Sequence, residues 1–125
     1  MQTTIETKIE KKSDNGLSDM VKNIANTINT GIYETESEEG CNAFDYLKDA
    51  LDFRWIVSNE LEFLGARILV AFGGPNIWID TFRKEVEGFW WGSYAKAEIH
   101  SDPMGLNDAL EDLYRSRLDE AKRRK

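Results

Sequence analysis

A chain of 125 residues with 41% hydrophobic and 31% charged side chains holds enough apolar material for one packed core, and too much to be disordered. A formal charge of −7 is the wrong sign for the basic footprint of a nucleic-acid binder, and no apolar run approaches the ~20 residues that span a bilayer. One cysteine, Cys41, and one histidine, His100, exclude an internal disulfide, zinc-finger spacing and any site built on a histidine pair.

Residues 1–16 are polar, end in Ser13-Asp14-Asn15-Gly16 and carry no apolar period, so they read as a flexible lead to a single α+β domain over 17–125. Met1-Gln2-Thr3-Thr4 lacks the charged start and apolar stretch of a signal peptide, which with the lone cysteine points to the cytoplasm. Val21, Ile24, Ala25, Ile28 and Ile32 then recur at helical spacing, with Ser18 as the expected N-cap. The other side of that helix carries Asn23, Asn26, Thr27, Asn29 and Thr30, which are mediocre helix formers, so it depends on what its stripe packs against.

An acidic linker over 33–41 leads to a short helix capped by Asn42, with Ala43, Phe44, Leu47 and Leu51 facing inward. Its outer side is expected to align Asp45, Asp49 and Asp52, relieved by Lys48. The period then changes. Phe53–Val57, Ala66–Phe72, Ile77–Thr81 and Val86–Trp91 read as strands of an antiparallel meander of about four. Ser101-Asp102-Pro103 opens a last helix, which runs through Leu106, Leu110, Leu113, Tyr114, Leu118 and Ala121 to the basic end Lys122–Lys125.

Treating 73–76 and 83–84 as the two turns pairs Phe72 with Ile77, Val70 with Ile79, Ile79 with Gly88 and Ile77 with Trp90. Both turns then put Ile68, Val70, Phe72, Ile77, Ile79, Val86 and Trp90 on one side, as a core face. Arg67, Leu69, Ala71, Trp78, Asp80, Phe82, Glu87, Phe89 and Trp91 fall on the other. Trp78 is expected opposite Phe89, and Asp80 opposite Glu87, two carboxylates that need a cation such as Arg67. Two readings of this second face are open. Either a helix covers it as a small second core, or it is an exposed patch suited to the Arg and Lys side chains of a partner.

Catalytic patterns are sparse. His100 has no accompanying G-x-S-x-G nucleophile, and Gly73-Gly74-Pro75-Asn76 lacks the Lys-Ser/Thr of a phosphate loop. Asp80 with Glu87 is the one carboxylate pair that the pairing brings together. Neither a cofactor nor a metal is expected, and a non-catalytic protein is.

Charge is distributed unevenly. Residues 34–62 hold nine acids (Glu34, Glu36, Glu38, Glu39, Asp45, Asp49, Asp52, Glu60, Glu62) and two bases, so this segment alone carries −7 and the remainder balances at fourteen of each sign. Such a segment suits a basic protein surface, including one whose ordinary ligand is nucleic acid, and it also serves plain solubility.

The stretch from Arg67 to Thr81, followed by Val86-Glu87-Gly88-Phe89-Trp90-Trp91-Gly92, resembles a group of small uncharacterised proteins of bacteriophages and mobile elements with the pattern VAxGGPNIxxDT…VEGxWWG. The resemblance covers roughly residues 43–99 and implies no activity. It does imply a context: small acidic phage proteins that block host defence, in the manner of anti-restriction or anti-CRISPR inhibitors. The resulting expectation is a DNA-mimic-like inhibitor that binds a basic protein surface through Trp78, Asp80, Glu87, Phe89 and Trp91, together with Glu36, Glu38, Glu39, Asp45, Asp49 and Asp52. The alternatives are a self-assembling accessory protein and, less directly, a small enzyme or nucleotide binder.

Overall fold

Leu17, Val21, Ala25 and Ile28 form a continuous buried stripe, and hiding it from water decides where the N-terminal helix lies. The computed structural model describes residues 16–31 and 43–123. Helix α1 (Leu17–Thr30) begins one residue before the expected cap Ser18, because Leu17 is itself fully buried; Gly16 takes the N-cap position without a side-chain cap. Gly31, at φ 73°, ends the helix by donating its N–H to the Thr27 carbonyl at 2.8 Å. Ile32, the lead up to Asn15, and the acidic linker with Asn42 lie outside the described residues.

Helix α2 (Ala43–Leu47) is a single turn or so. Strands β1 (Asp52–Val57), β2 (Phe63–Ala71), β3 (Asn76–Asp80), β4 (Glu85–Trp90) and β5 (Ser93–Glu98) form one antiparallel meander in chain order, and α3 (Leu106–Arg123) closes the chain. The fold is α+β, with five strands instead of four. The unforeseen strand, Ser93–Glu98, pairs with β4 through the tight turn Trp91-Gly92. Helix α3 starts later than expected: Asp102 caps it from the preceding turn, its carboxylate accepting from the N–H groups of Leu106 (2.7 Å) and Asn107 (3.0 Å).

Both central registers differ from expectation by two residues. Ile68 faces Ile79, Leu69 faces Trp78 and Arg67 faces Asp80, while Ile79 faces Val86 and Ile77 faces Gly88. The β3–β4 loop is four residues long because Asp80 Oδ1 accepts from the N–H groups of Phe82 (3.0 Å) and Arg83 (2.8 Å), winding 81–84 into a turn. A bulge between Leu69 and Ala71 sets Ala71 against Ile77. Ala71 therefore packs on the core and Phe72 is 73% exposed, the reverse of their expected sides.

The three described helices all contribute to the same core. Leu17, Val21 and Ile28 of α1, Ala43 and Leu47 of α2, and Leu106 and Leu110 of α3 join Ala66, Ile68, Ile77, Ile79 and Val86 of the sheet. Gly88 is the docking point of α1: a Cβ there would lie 2.8 Å from Leu17 Cδ1 and 2.9 Å from Val21 Cγ2. At the other end of α1, Asn29 caps the outer edge of β5. Its amide donates to the Glu98 carbonyl (3.2 Å) and accepts from the N–H groups of His100 (2.8 Å) and Ser101 (3.1 Å). Phe44 and Leu51, expected inward, are exposed instead: α2 turns Ala43 and Leu47 to the core, and Leu51 lies beyond its end.

Candidate functional site

The second face of the sheet carries Asp52, Arg54, Arg67, Leu69, Trp78, Asp80, Glu85, Glu87, Phe89, Tyr94 and Lys96, and no described helix packs against it. Alternation along five strands puts these side chains together. Trp78 stands directly across from Glu87, and Phe89 from Asn76 on one side and Tyr94 on the other; Asp80 pairs with Glu85. The expected Trp78–Phe89 and Asp80–Glu87 pairs are thus not formed, since each register is shifted by two.

The central part of this face satisfies itself. Arg67 Nη1 lies 2.7 Å from Glu87 Oε1 and 3.4 Å from Asp80 Oδ2, supplying the cation that the two acids require. The guanidiniums of Arg67 and Arg54 approach the Trp78 ring to 5.1 and 5.7 Å from its centroid. Asp52 holds Arg54 at 2.9 Å, and the Tyr94 hydroxyl donates to Glu87 Oε2 at 3.1 Å. Partial desolvation, the hydrogen bond to Glu87 and the charges of Glu87 and Glu85 push the Tyr94 phenol above its ordinary value, with Arg83 opposing. Asp80 is 2% exposed and occupied by two backbone N–H groups and Arg67, so its position is that of a turn organiser.

The end of the face carrying the β2–β3 and β4–β5 turns is different. Phe72, Phe89, Trp91 and Tyr94 all project there as exposed aromatic side chains, and Phe89 and Tyr94 are tilted at 52° with centroids 5.0 Å apart. A shallow groove of about 210 Å³ runs beside them, bounded by Gly74, Asn76, Trp90 and Ser93 and lined by no charged residue. Trp91 is 84% exposed and holds φ 52°, a left-handed conformation that suits glycine or asparagine.

The acidic residues do not assemble as expected. Asp45 lies on α2, Asp49 in the turn after it, and Asp52 at the start of β1, so no helical stripe forms. The helix stops at Leu47, and a turn leads from it to Asp52, where β1 begins its pairing with β2. Glu36, Glu38 and Glu39 lie outside the described residues. Of the aromatic set, Tyr94 and Phe72 escaped the sequence reading: Tyr94 because β5 was not recognised, Phe72 because the bulge reverses its side.

His100 is exposed and joins the structure through its backbone. Among the described residues no three His, Cys, Asp or Glu side chains are grouped to hold a metal ion. No described helix is long and apolar enough to cross a membrane. No protein-family model matches the chain, and no curated protein and no solved structure matches it.

Proposed function

We propose that the chain is a non-catalytic protein-binding module that seats its partner on the aromatic end of the open sheet face. Trp91 carries this reading. A bulky residue in the left-handed region is strained by on the order of 1 kcal/mol. At 84% exposed, Trp91 gains almost no burial in the free chain to offset that strain. A partner that covered Trp91 together with Phe89, Tyr94 and Phe72 would supply the missing burial, in the manner of an aromatic hot spot. Trp78 supports the platform from beneath its two arginines and makes no primary contact in this scheme.

The acids of 34–62 act at longer range, drawing the module toward a basic surface. In the phage-borne context implied by the VAxGGPNIxxDT stretch, that surface belongs to a nucleic-acid-binding host defence protein, which the module would block.

The experiment uses Trp91→Asn, since asparagine tolerates the left-handed turn. The variant should fold with stability equal to or higher than the parent by up to about 1 kcal/mol, and should lose partner capture from host extract. Partner association should slow with salt while dissociation changes little, because exposed charges are screened over ~8 Å and the aromatic contact is not charged. Identical captured proteins for parent and variant would refute the contact. Concentration-dependent dimers by light scattering, abolished in Trp91→Asn, would instead assign the aromatic end to a second copy of the chain.

A further inference from the structure

Strand β1 is an outer strand of the sheet, paired on one side with β2 and on the other with no described element. The second outer strand, β5, is closed at its end by Asn29 of α1. Natural proteins blunt an open edge with proline, lone charges or a bulge, because its free N–H and C=O groups recruit further strands. β1 has no proline, and its bulge falls at the far end, between Ile56 and Val57. Its two charges, Asp52 and Arg54, are opposite in sign and two residues apart. Both belong to the open face, across from Leu69 and Arg67, and their side chains are 41% and 68% exposed. Phe53 and Trp55 alternate to the core side, across from Ile68 and Ala66, and are only partly buried there. Leu51, 59% exposed, shares a cleft of about 340 Å³ with these two rings.

We infer that this edge pairs with the same edge of a second copy of the chain, antiparallel and about a two-fold axis at Phe53. The pattern of side chains selects that register. It sets Asp52 across from Arg54 of the other copy, at the about 5 Å between Cβ atoms of a cross-strand pair. Each carboxylate then lies between two guanidiniums, since Arg54 Nε of its own strand already stands 2.9 Å from Asp52 Oδ2. On the core side Phe53 meets Phe53, and Leu51 meets Trp55, which covers a leucine that the single chain leaves in water. An axis at Asp52 or at Arg54 would instead oppose like charges. The contact is isologous, so it closes at a dimer with one continuous sheet. The inference is independent of the aromatic end and does not rest on the protein-binding reading.

The test is sedimentation of the full chain from about 1 µM to about 500 µM, the range in which small interfaces associate. The parent should pass from monomer to dimer and no further. Asp52→Lys and Arg54→Glu should each raise the dimer dissociation constant at least about tenfold, because each opposes like charges across the axis. An equimolar mixture of the two variants should form heterodimers about as tightly as the parent dimerises, since the signs are complementary again. Misfolding of either variant would not be repaired by mixing. Leu51→Ser should weaken the dimer several-fold while the melting temperature at low concentration stays that of the parent. Amide exchange over 51–55 should slow as concentration rises and that over 89–94 should not, and Trp91→Asn should dimerise as the parent does. The proposal is overturned by a monomer at every concentration, by dimers indifferent to the two charge variants, or by dimers lost in Trp91→Asn.

Discussion

Arg67 on β2 reaches Glu87 on β4, Nη1 to Oε1 at 2.7 Å, so one side chain spans the full width of β3. On the way its guanidinium passes 5.1 Å from the centre of Trp78 and 3.4 Å from Asp80 Oδ2. The far oxygen of Glu87 accepts from Tyr94 on β5. Four strands are therefore tied by polar contacts on the open face, as Ile68, Ile79 and Val86 tie three of them on the core face.

Removing Arg67 leaves Asp80 and Glu87 without their shared cation. Arg67→Met should destabilise by about 2–3 kcal/mol, below the value for a fully buried ion pair because the arginine is 29% exposed. Adding Glu87→Gln should return at least about 1 kcal/mol, read as a coupling in a double-mutant cycle by urea melts. Strict additivity of the two changes would show that the pair contributes nothing.

The two crowded strand glycines should differ. A Cβ on Gly65 would stand 2.8 Å from the Phe82 nitrogen and 2.9 Å from its Cα, backbone that cannot step aside, whereas on Gly88 it would meet side-chain atoms of Leu17, Val21 and, less closely, Ile77. Gly65→Ala should cost about 3 kcal/mol and Gly88→Ala about 1 kcal/mol. Equal thermal shifts would mean that α1 is docked more rigidly than these side chains suggest.

Trp78 and its neighbour Ile79 point to opposite faces. Ile79→Ala opens the core and should cost about 3–4 kcal/mol. Trp78→Ala removes a half-buried ring and its two guanidinium contacts, for about 1–2 kcal/mol. Denaturant melts of both variants check this, and a Trp78 loss equal to that of Ile79 would make the open face a second core.

The Tyr94 phenol should titrate above 10.0, its ordinary value, by ultraviolet difference spectra of the parent against Tyr94→Phe. Because the folded chain holds this proton longer than the unfolded one, the contribution to stability is complete below pH 10 and fades as pH rises through the folded value. Glu87→Gln replaces the charged hydrogen-bond acceptor by a neutral one and removes the Glu87 charge, and should bring the phenol back toward its ordinary value. A transition unmoved by Glu87→Gln would leave desolvation and the Glu85 charge as the causes.

The alternation of side chains along the sequence is enough to sort most of the sheet into two faces. It assigns Ile68, Ile77, Ile79 and Val86 to the core and Arg67, Trp78, Glu87 and Phe89 to the other face, although both registers it implies are two residues out. The sorting survived because a slip of two preserves the face of every residue, while a slip of one reverses it. At the bulge, where the slip is one, the reading failed for Ala71 and Phe72. The apolar stripe of α1 was equally plain, since helical periodicity is a local property of the chain. Other features depended on distant partners. Strand β5 alternates Tyr94, Lys96 and Glu98 with two alanines, a weak strand signal that becomes a strand by pairing with β4 and offering those small residues to the core. Loop lengths followed from Asp80 binding two backbone N–H groups ahead of it. Which aromatics stand in solvent was decided by tertiary packing, because exposure depends on what covers a side chain as well as on its direction. The three described helices were drawn to the Ile68–Ile79 side, where the larger apolar area lay, and none of them covers the face bearing Phe89 and Tyr94.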